Sequence, residues 1–451
     1  MAKRNKQQVS SKSQKLKRNI IWFSLIILFM KFLVIFSIPN GGWLGADGES
    51  YLKGADALLN DGFFSKDSIL NYWPAGYSIL IWLFSFISTS KLAIVISIFQ
   101  TVVFAYAVMF FVSTLRTTRL SKLVIPTILL LSLNPTLSLS SLVVGYESLV
   151  ASCSLISIAL IVRYQQDQSR KNLIKTVIWV GLLQGFSGFM QPRGLLIGFF
   201  IFLIWGLSQN SWKTLIAILL AGSCLMMILP LGLVFRNIEA GNGVIISRNL
   251  GITMSVGAGD KATGGYGNSG GVPCSPKTSS ASVSDGQLVK CVLTWYFQNP
   301  VKAAKLAVNK TLFFWSPWSG PLANGTMNRN PWLKIDPVIQ IASNTQGHNL
   351  VYGWVGKLIS WLWLLGGLFL LLFGFWWLWR LGGLEKWIAG LTGAPVILAW
   401  LTALGTIGDH RFRIPTLGLS LFLQVAGFLA LRGRFLTDSS ALTLEPKGRA
   451  R

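Results

Sequence analysis

Acidic residues, histidine and cysteine are all scarce in this chain. Only 12% of its 451 residues are charged, and 15 Asp and Glu face 40 Lys and Arg, with 2 His and 4 Cys. So low a charged fraction excludes an ordinary soluble globule, in which about a quarter of residues are charged. Two histidines, with no Cys/His cluster at zinc spacing, exclude a histidine-based metal centre. Cys153 and Cys224 fall inside apolar stretches, where a thiol serves as a small core residue. Cys274 and Cys291 share one polar stretch and can pair if it lies outside the cytoplasm. A net charge of +25 would suggest a nucleic-acid partner in a soluble protein. Here the basic residues lie in short runs between apolar segments, so the positive-inside rule accounts for them and no nucleic acid is expected.

What the chain has in abundance is hydrophobic sequence, 52% of its residues. Segments suited to crossing ~30 Å of hydrocarbon run at 20–38, 91–115, 123–140, 147–163, 174–190, 194–209, 213–235, 353–379, 387–405 and 415–432. The expected fold is therefore an all-α polytopic membrane protein of about 10–11 transmembrane helices. Ala75 to Ile87 is apolar but short, and is expected to be a re-entrant or interfacial helix. Ile20 to Ile38 is too long for a signal-peptide core, shows no small-residue cleavage site, and is expected to be a retained span despite Lys31. The basic runs at Arg116 to Lys122, Arg163 to Lys175, Lys213, Arg380 to Lys386 and beyond Arg432 then share one side, with the basic tail 1–18 and the tail 433–451. That side is cytoplasmic. Between the tails lie an N-terminal transmembrane module at 19–235, a large external loop at 236–352 and C-terminal transmembrane helices at 353–432.

The few carboxylates are not spread evenly. Asp47, Glu49, Asp56, Asp61 and Asp67 crowd one loop, within the external stretch 39–77 that follows the first span. Inside it Tyr51, Ala55, Leu58 and Leu59 form a helical stripe ended by Asn60-Asp61-Gly62, which predicts an amphipathic helix with Asp47 at its N-cap. Other polar groups stand at outer span ends: Glu147, Gln191-Pro192-Arg193, and Gly408-Asp409-His410-Arg411-Phe412-Arg413-Ile414-Pro415. Ionisable groups at membrane depth are costly, so they are functional candidates by default, with interfacial snorkelling as the plain alternative for the arginines. The external stretch Arg236 to Tyr352 has a Gly/Ser-rich middle expected to be flexible, then a helix-like run from Val289 to Phe314 and an aromatic turn at Trp315-Ser-Pro-Trp318. Its GAGDKA string lacks the strand-turn-helix context of a dinucleotide motif.

Several of these strings together resemble a known family. Asp47-x-x-x-Tyr51, Ala55, Leu58-Leu59, Gly62-Phe63 and Pro74-Ala-Gly-Tyr77 are similar to the first external loop of the GT-C-fold glycosyltransferases. The group resembled is the protein-mannosyltransferase-like and lipid A aminoarabinose transferase-like family. Gln191-Pro-Arg193 resembles its Arg-Pro turn in reversed order. Arg236-Asn237, Gly241, Ser247 and Asn249-Leu-Gly251 resemble the start of its large external loop, and Asn299-Pro300, Lys310, Trp315 and Pro317 the end of that loop. Arg411-Phe-Arg-Ile-Pro415 resembles the string before its last span. Gly48-Glu49 departs from the family's commoner acidic pair after the aspartate.

The resemblance implies a GT-C-like fold and transfer, with inversion, of a sugar from a polyprenyl-phosphate donor. The acceptor is a saccharide, lipid or protein hydroxyl at the external membrane face. Asp47 is then the general base. Arg193 and Arg411, joined by Arg413, stabilise the departing phosphate. His410, Glu147, Tyr51 and Tyr77 line the substrate site. Glu49 orients the acceptor or holds a divalent cation; in a helix it and Asp47 would point to different faces, so the two share a site only if the chain there is extended or turning. The main rival is a transporter or flippase of lipid-linked saccharides, which would place its polar residues near the membrane midplane. A non-catalytic membrane scaffold is the second.

Overall fold

The computed structural model describes residues 2–36, 43–44, 47–265, 284–315 and 354–433. The chain is almost wholly helical there, and eight helices are long and apolar enough to cross a membrane by length and composition. They contain eight of the expected spans: α1 (Ala2–Phe36), α5 (Leu92–Leu115), α8 (Glu147–Gln166), α9 (Arg170–Met190), α11 (Trp212–Glu239), α15 (Trp354–Leu381), α16 (Gly383–Gly405) and α17 (Ile414–Leu431). The segment expected at 194–209 is the 15-residue α10 (Arg193–Leu207), ~22 Å long. The one expected at 123–140 is broken. α6 (Val124–Leu133) stops at Asn134, whose side chain accepts from Leu137 N and starts a separate short helix, α7 (Pro135–Leu139). Proline has no N–H to continue the first helix, and the residue before it is biased away from helical geometry.

α8 and α17 are the most enclosed helices, whereas α1, α11 and α15 keep most of their surface outward. α8 can be enclosed because it is rich in small residues. Ser148, Ser152, Ser154 and Ser157 are all buried, and those at 152 and 154 return their hydroxyls to carbonyls one turn back. One apolar core runs through α5, α6, α8, α9, α10, α16 and α17.

At one end of this bundle sit several shorter helices. α2 (Gly48–Asp61) buries Tyr51, Ala55 and Leu58 of the predicted stripe against α4 (Ala75–Ser85), leaves the stripe's Leu59 exposed, and ends at Gly62 with φ 81°. α3 (Ile69–Tyr72) joins them. In the stretch that follows α11, α12 (Leu250–Val256) is followed by α13 (Asp285–Gln298) and α14 (Pro300–Trp315), broken at Asn299-Pro300. Arg236, fully buried at the end of α11, ties the two stretches together. It donates to the carbonyls of Phe63, Ser65 and Leu70, and to Asn237 Oδ1, while Asn237 reaches Ile245 and Ile246.

The described part of the glycine-rich stretch is packed. A side chain at Gly257 would strike the Thr406 backbone, and Gly264 (φ +96°) lies against Asn309 and Lys310 while its carbonyl accepts from Gly408 N at 2.8 Å. Cys291 is disulfide-bonded and Cys153 and Cys224 are free. Cys274, Pro317, Trp318 and the tail 434–451 lie outside the described residues.

Candidate active site

The only sheet among the described residues is a two-residue parallel pair, and it assembles the site. β1 (Trp43–Leu44) aligns Trp43 with Val143 and Leu44 with Val144 of β2 (Val143–Val144). Each strand is followed three residues later by a carboxylate, Asp47 after β1 and Glu147 after β2. The close pairing requires Gly48, and the turn that carries Glu147 requires Gly145. A Cβ on Gly48 would lie 2.8 Å from Val144 O, and one on Gly145 would lie 2.6 Å from Glu147 Oε2. The free edge of β2 is satisfied by side chains of α5, as buried backbone requires. Ser97 Oγ donates to Leu142 O, Gln100 Nε2 to Val143 O and Thr101 Oγ1 to Ser141 O. Tyr77 donates to Gln100 Oε1 at 2.9 Å and accepts from Gly145 N at 2.9 Å, locking the turn that carries Glu147. Lys31 of α1 anchors the same segment through Ser138 O and Ser141 Oγ.

The third contributor is the 3-10 turn His410–Arg413 before α17. Asp409 caps it, Oδ1 accepting from Arg411 N at 2.9 Å. From this turn Arg411 reaches between the two carboxylates. Its Nη1 is 2.9 Å from Asp47 Oδ2 and its Nε 3.6 Å from Glu147 Oε1, with all three side chains largely buried. Asp47 occupies the N-cap position of α2, yet its side chain makes no capping hydrogen bond. It is directed to Arg411 instead.

Arg193, first residue of α10, stands beside them with no carboxylate partner among the described residues. Its guanidinium lies 4.0 Å from the Phe412 ring centre, and Nη2 makes one long contact, 3.4 Å, to Thr406 Oγ1. Asp47, Trp73, Tyr146, Arg193, Asp409 and Arg411 line one cavity of about 290 Å³, whose outer wall includes Ser247 and Asn249. Beneath it Tyr51 packs edge-on against Tyr77 and Tyr146, with ring centres 5.1 and 6.0 Å away, and Gln191 Nε2 donates to Tyr146 Oη. Burial raises the pKa of all three phenols, so they remain protonated.

Not every expected residue joins this group. Glu49 is exposed on the outer face of α2 and pairs with Lys53 at 2.8 Å, as its helical offset from Asp47 dictates. It is not among the residues lining the Asp47 cavity, and among the described residues no three His, Cys, Asp or Glu converge as a metal site. His410 is buried under the turn, Nδ1 3.3 Å from Asp409 Oδ1. Arg413 points the other way, its Nη1 donating to Trp315 O. It borders a separate apolar groove of about 590 Å³ that follows α17 to Phe428 between α6 and α15. Tyr146 and Trp73 were not expected from sequence, and Asp409 was named only within its polar string. Tyr146 adjoins Glu147 and Asp409 adjoins the Arg411 string, so their neighbours were the available signal.

No protein-family model matches this chain, and no curated protein matches it. Two solved structures are similar in outline. One is the archaeal oligosaccharyltransferase AglB from Archaeoglobus fulgidus, in complex with an inhibitory peptide and a dolichol-phosphate. It is 10% identical, with a TM-score of 0.45 over 92% of this chain and 51% of that one. The other is an oligosaccharyltransferase of the same organism in the apo form, 11% identical, with a TM-score of 0.47 over 91% and 51%. This chain thus spans about half the length of each. Likeness at this level supports no residue correspondence.

Proposed function

We propose that this protein is a membrane glycosyltransferase that moves a sugar from a polyprenyl-phosphate donor to an acceptor hydroxyl at the external face. The carrying observation is that a buried carboxylate, Asp47, and an arginine without a carboxylate partner among the described residues, Arg193, face one cavity at the ends of several spans. In this reading Asp47 takes the proton of the acceptor hydroxyl as its oxygen attacks the anomeric carbon. The bond from that carbon to the phosphate oxygen breaks, both electrons leave with the lipid phosphate, and Arg193 meets the new charge. Tyr146, Trp73 and Asp409 supply the aromatic and polar surface a sugar ring needs. The apolar groove beside Arg413 offers room for part of a hydrocarbon chain at membrane depth.

Two observations support the external side. Cys291 is disulfide-bonded, which suits an oxidising compartment. Arg116, Arg163, Arg170, Lys213 and Lys386 all stand at the span ends opposite Asp47, as the positive-inside rule expects for a cytoplasmic face. The test is donor consumption by the protein in nanodiscs, with a panel of polyprenyl-phosphate sugars. Consumption that requires Asp47 is the expected result. Transbilayer movement of a labelled lipid-linked saccharide without any transfer would favour the transporter instead.

A further inference from the structure

Arg411 carries one positive charge and faces two carboxylates, Asp47 at 2.9 Å and Glu147 at 3.6 Å. Two of its three nitrogens are thereby directed at carboxylates of this chain, whereas Arg193, on the same cavity, forms no ion pair with a carboxylate among the described residues. An arginine meant for a substrate phosphate needs its N–H groups open to the substrate. We infer that Arg411 is a counter-cation held in common by Asp47 and Glu147, and that Glu147 is a positioning residue that, through Arg411, governs how readily Asp47 accepts a proton. This rests on the reading of Asp47 as the base.

The physical argument follows the charge. Arg411 alone would favour the ionised form of Asp47 and weaken it as a base. Glu147 opposes that twice, as a like charge near Asp47 and as a competitor for the guanidinium. Ionised, the three groups carry one net negative charge, and when Asp47 takes a proton the cluster becomes neutral. Without Glu147 the same step would leave a buried, unpaired guanidinium, which is strongly unfavourable. The geometry is held for this purpose. Gly145 leaves room for the Glu147 carboxylate, and Tyr77 and Gln100 fix the strand before it. Other groups around Asp47 are Tyr51 on α2, Tyr146 before α8, Arg193 on α10, and Asp409 with His410 on the turn. The last four stay in place when Glu147 is changed, as does Tyr51, so a difference between variants reports on Glu147.

The experiment is titration of Asp47 in the full-length protein in nanodiscs, by labelling protonated carboxyls with a water-soluble carbodiimide and an amine across pH. The Asp47 peptide is quantified by mass spectrometry. In Glu147→Gln the labelling midpoint is expected to fall by about one pH unit or more. Glu147→Asp should stay near the parent, and Arg411→Gln should raise it. If Glu147→Gln does not fold, Gly145→Ala displaces the carboxylate by steric contact and should also lower the midpoint. A midpoint unchanged or raised in Glu147→Gln, or in Gly145→Ala where that stands in, overturns the inference. The titration needs neither donor nor acceptor. Failure to transfer any lipid-linked sugar would sink the proposed function alone, and an unmoved midpoint beside normal transfer would sink this inference alone.

Discussion

Asp47→Asn is the substitution on which the proposed chemistry depends. Asn caps helices about as well as Asp, so a capping residue would tolerate it. In this protein the Asp47 side chain makes no capping bond, and its buried contact is with Arg411 at 2.9 Å. The change therefore removes one anionic partner of Arg411 and the proton acceptor together. Stripping a buried ion pair of one member costs about 3–5 kcal/mol. Here Glu147 remains 3.6 Å from the guanidinium, so the loss of stability should fall below that range and the protein should still fold. The rate should fall by roughly 10²–10⁴-fold, the usual contribution of a positioned base. That corresponds to about 3–5 kcal/mol of barrier. Thermal unfolding and donor turnover in the same nanodisc preparation separate the two effects. Glu49→Gln is the control and should leave both unchanged, because that carboxylate is exposed and paired only with Lys53. Normal turnover by well-folded Asp47→Asn would refute the assignment.

Arg193→Ala should weaken donor binding and lower turnover by about 10²–10³-fold, with partial recovery in Arg193→Lys, which cannot reproduce the bidentate fork; steady-state kinetics check it. Gly48→Ala drives a Cβ to 2.8 Å from Val144 O, so the strand pair must separate. Thermal unfolding should show a cost of about 1–3 kcal/mol. Lys310 is wholly buried between Tyr296 Oη and Leu404 O, and burial lowers its pKa to about 7. The folded protein then binds fewer protons at Lys310 than the unfolded chain from about pH 7 up to the ordinary lysine value of 10.5. Its unfavourable contribution is full below that window and is relieved as pH rises through it, at up to ~1.4 kcal/mol per pH unit. Melting temperature measured across that window should rise more in the parent than in Lys310→Met, and equal slopes would remove the effect.

The legible part of the site was its chemistry, not its partnerships. Arg411, Arg193, Glu147 and Asp47 stood out because ionisable groups at span ends are rare in so apolar a chain. A helical offset from Asp47 told against Glu49, but nothing local named Glu147 as the second carboxylate. α2 turns Glu49 outward, whereas β2 pairs with β1 and delivers Glu147 beside Asp47. The Asn134-Pro135 step announced a helix break that hydropathy alone passed over, because an apolar average is blind to a missing N–H. The glycine-rich stretch suggested flexibility from composition. At Gly257 and Gly264 the same residues instead permit close backbone approach to Thr406 and Lys310, a use of glycine that becomes visible only with its neighbour in place.

The amino-acid sequence by itself determined the helices and their apolar character. Hydropathy and periodicity act residue by residue along one chain, and so does the crowding of acid near Asp47. Only the tertiary structure decided that Arg411 lies between two carboxylates while Arg193 forms no ion pair among the described residues. That outcome depends on which span ends meet, on Gly48 being thin enough to let two strands touch, and on a turn that sends Arg411 and Arg413 to opposite sides. Coulombic partnership depends on distance in space, and sequence patterns encode distance only along the chain.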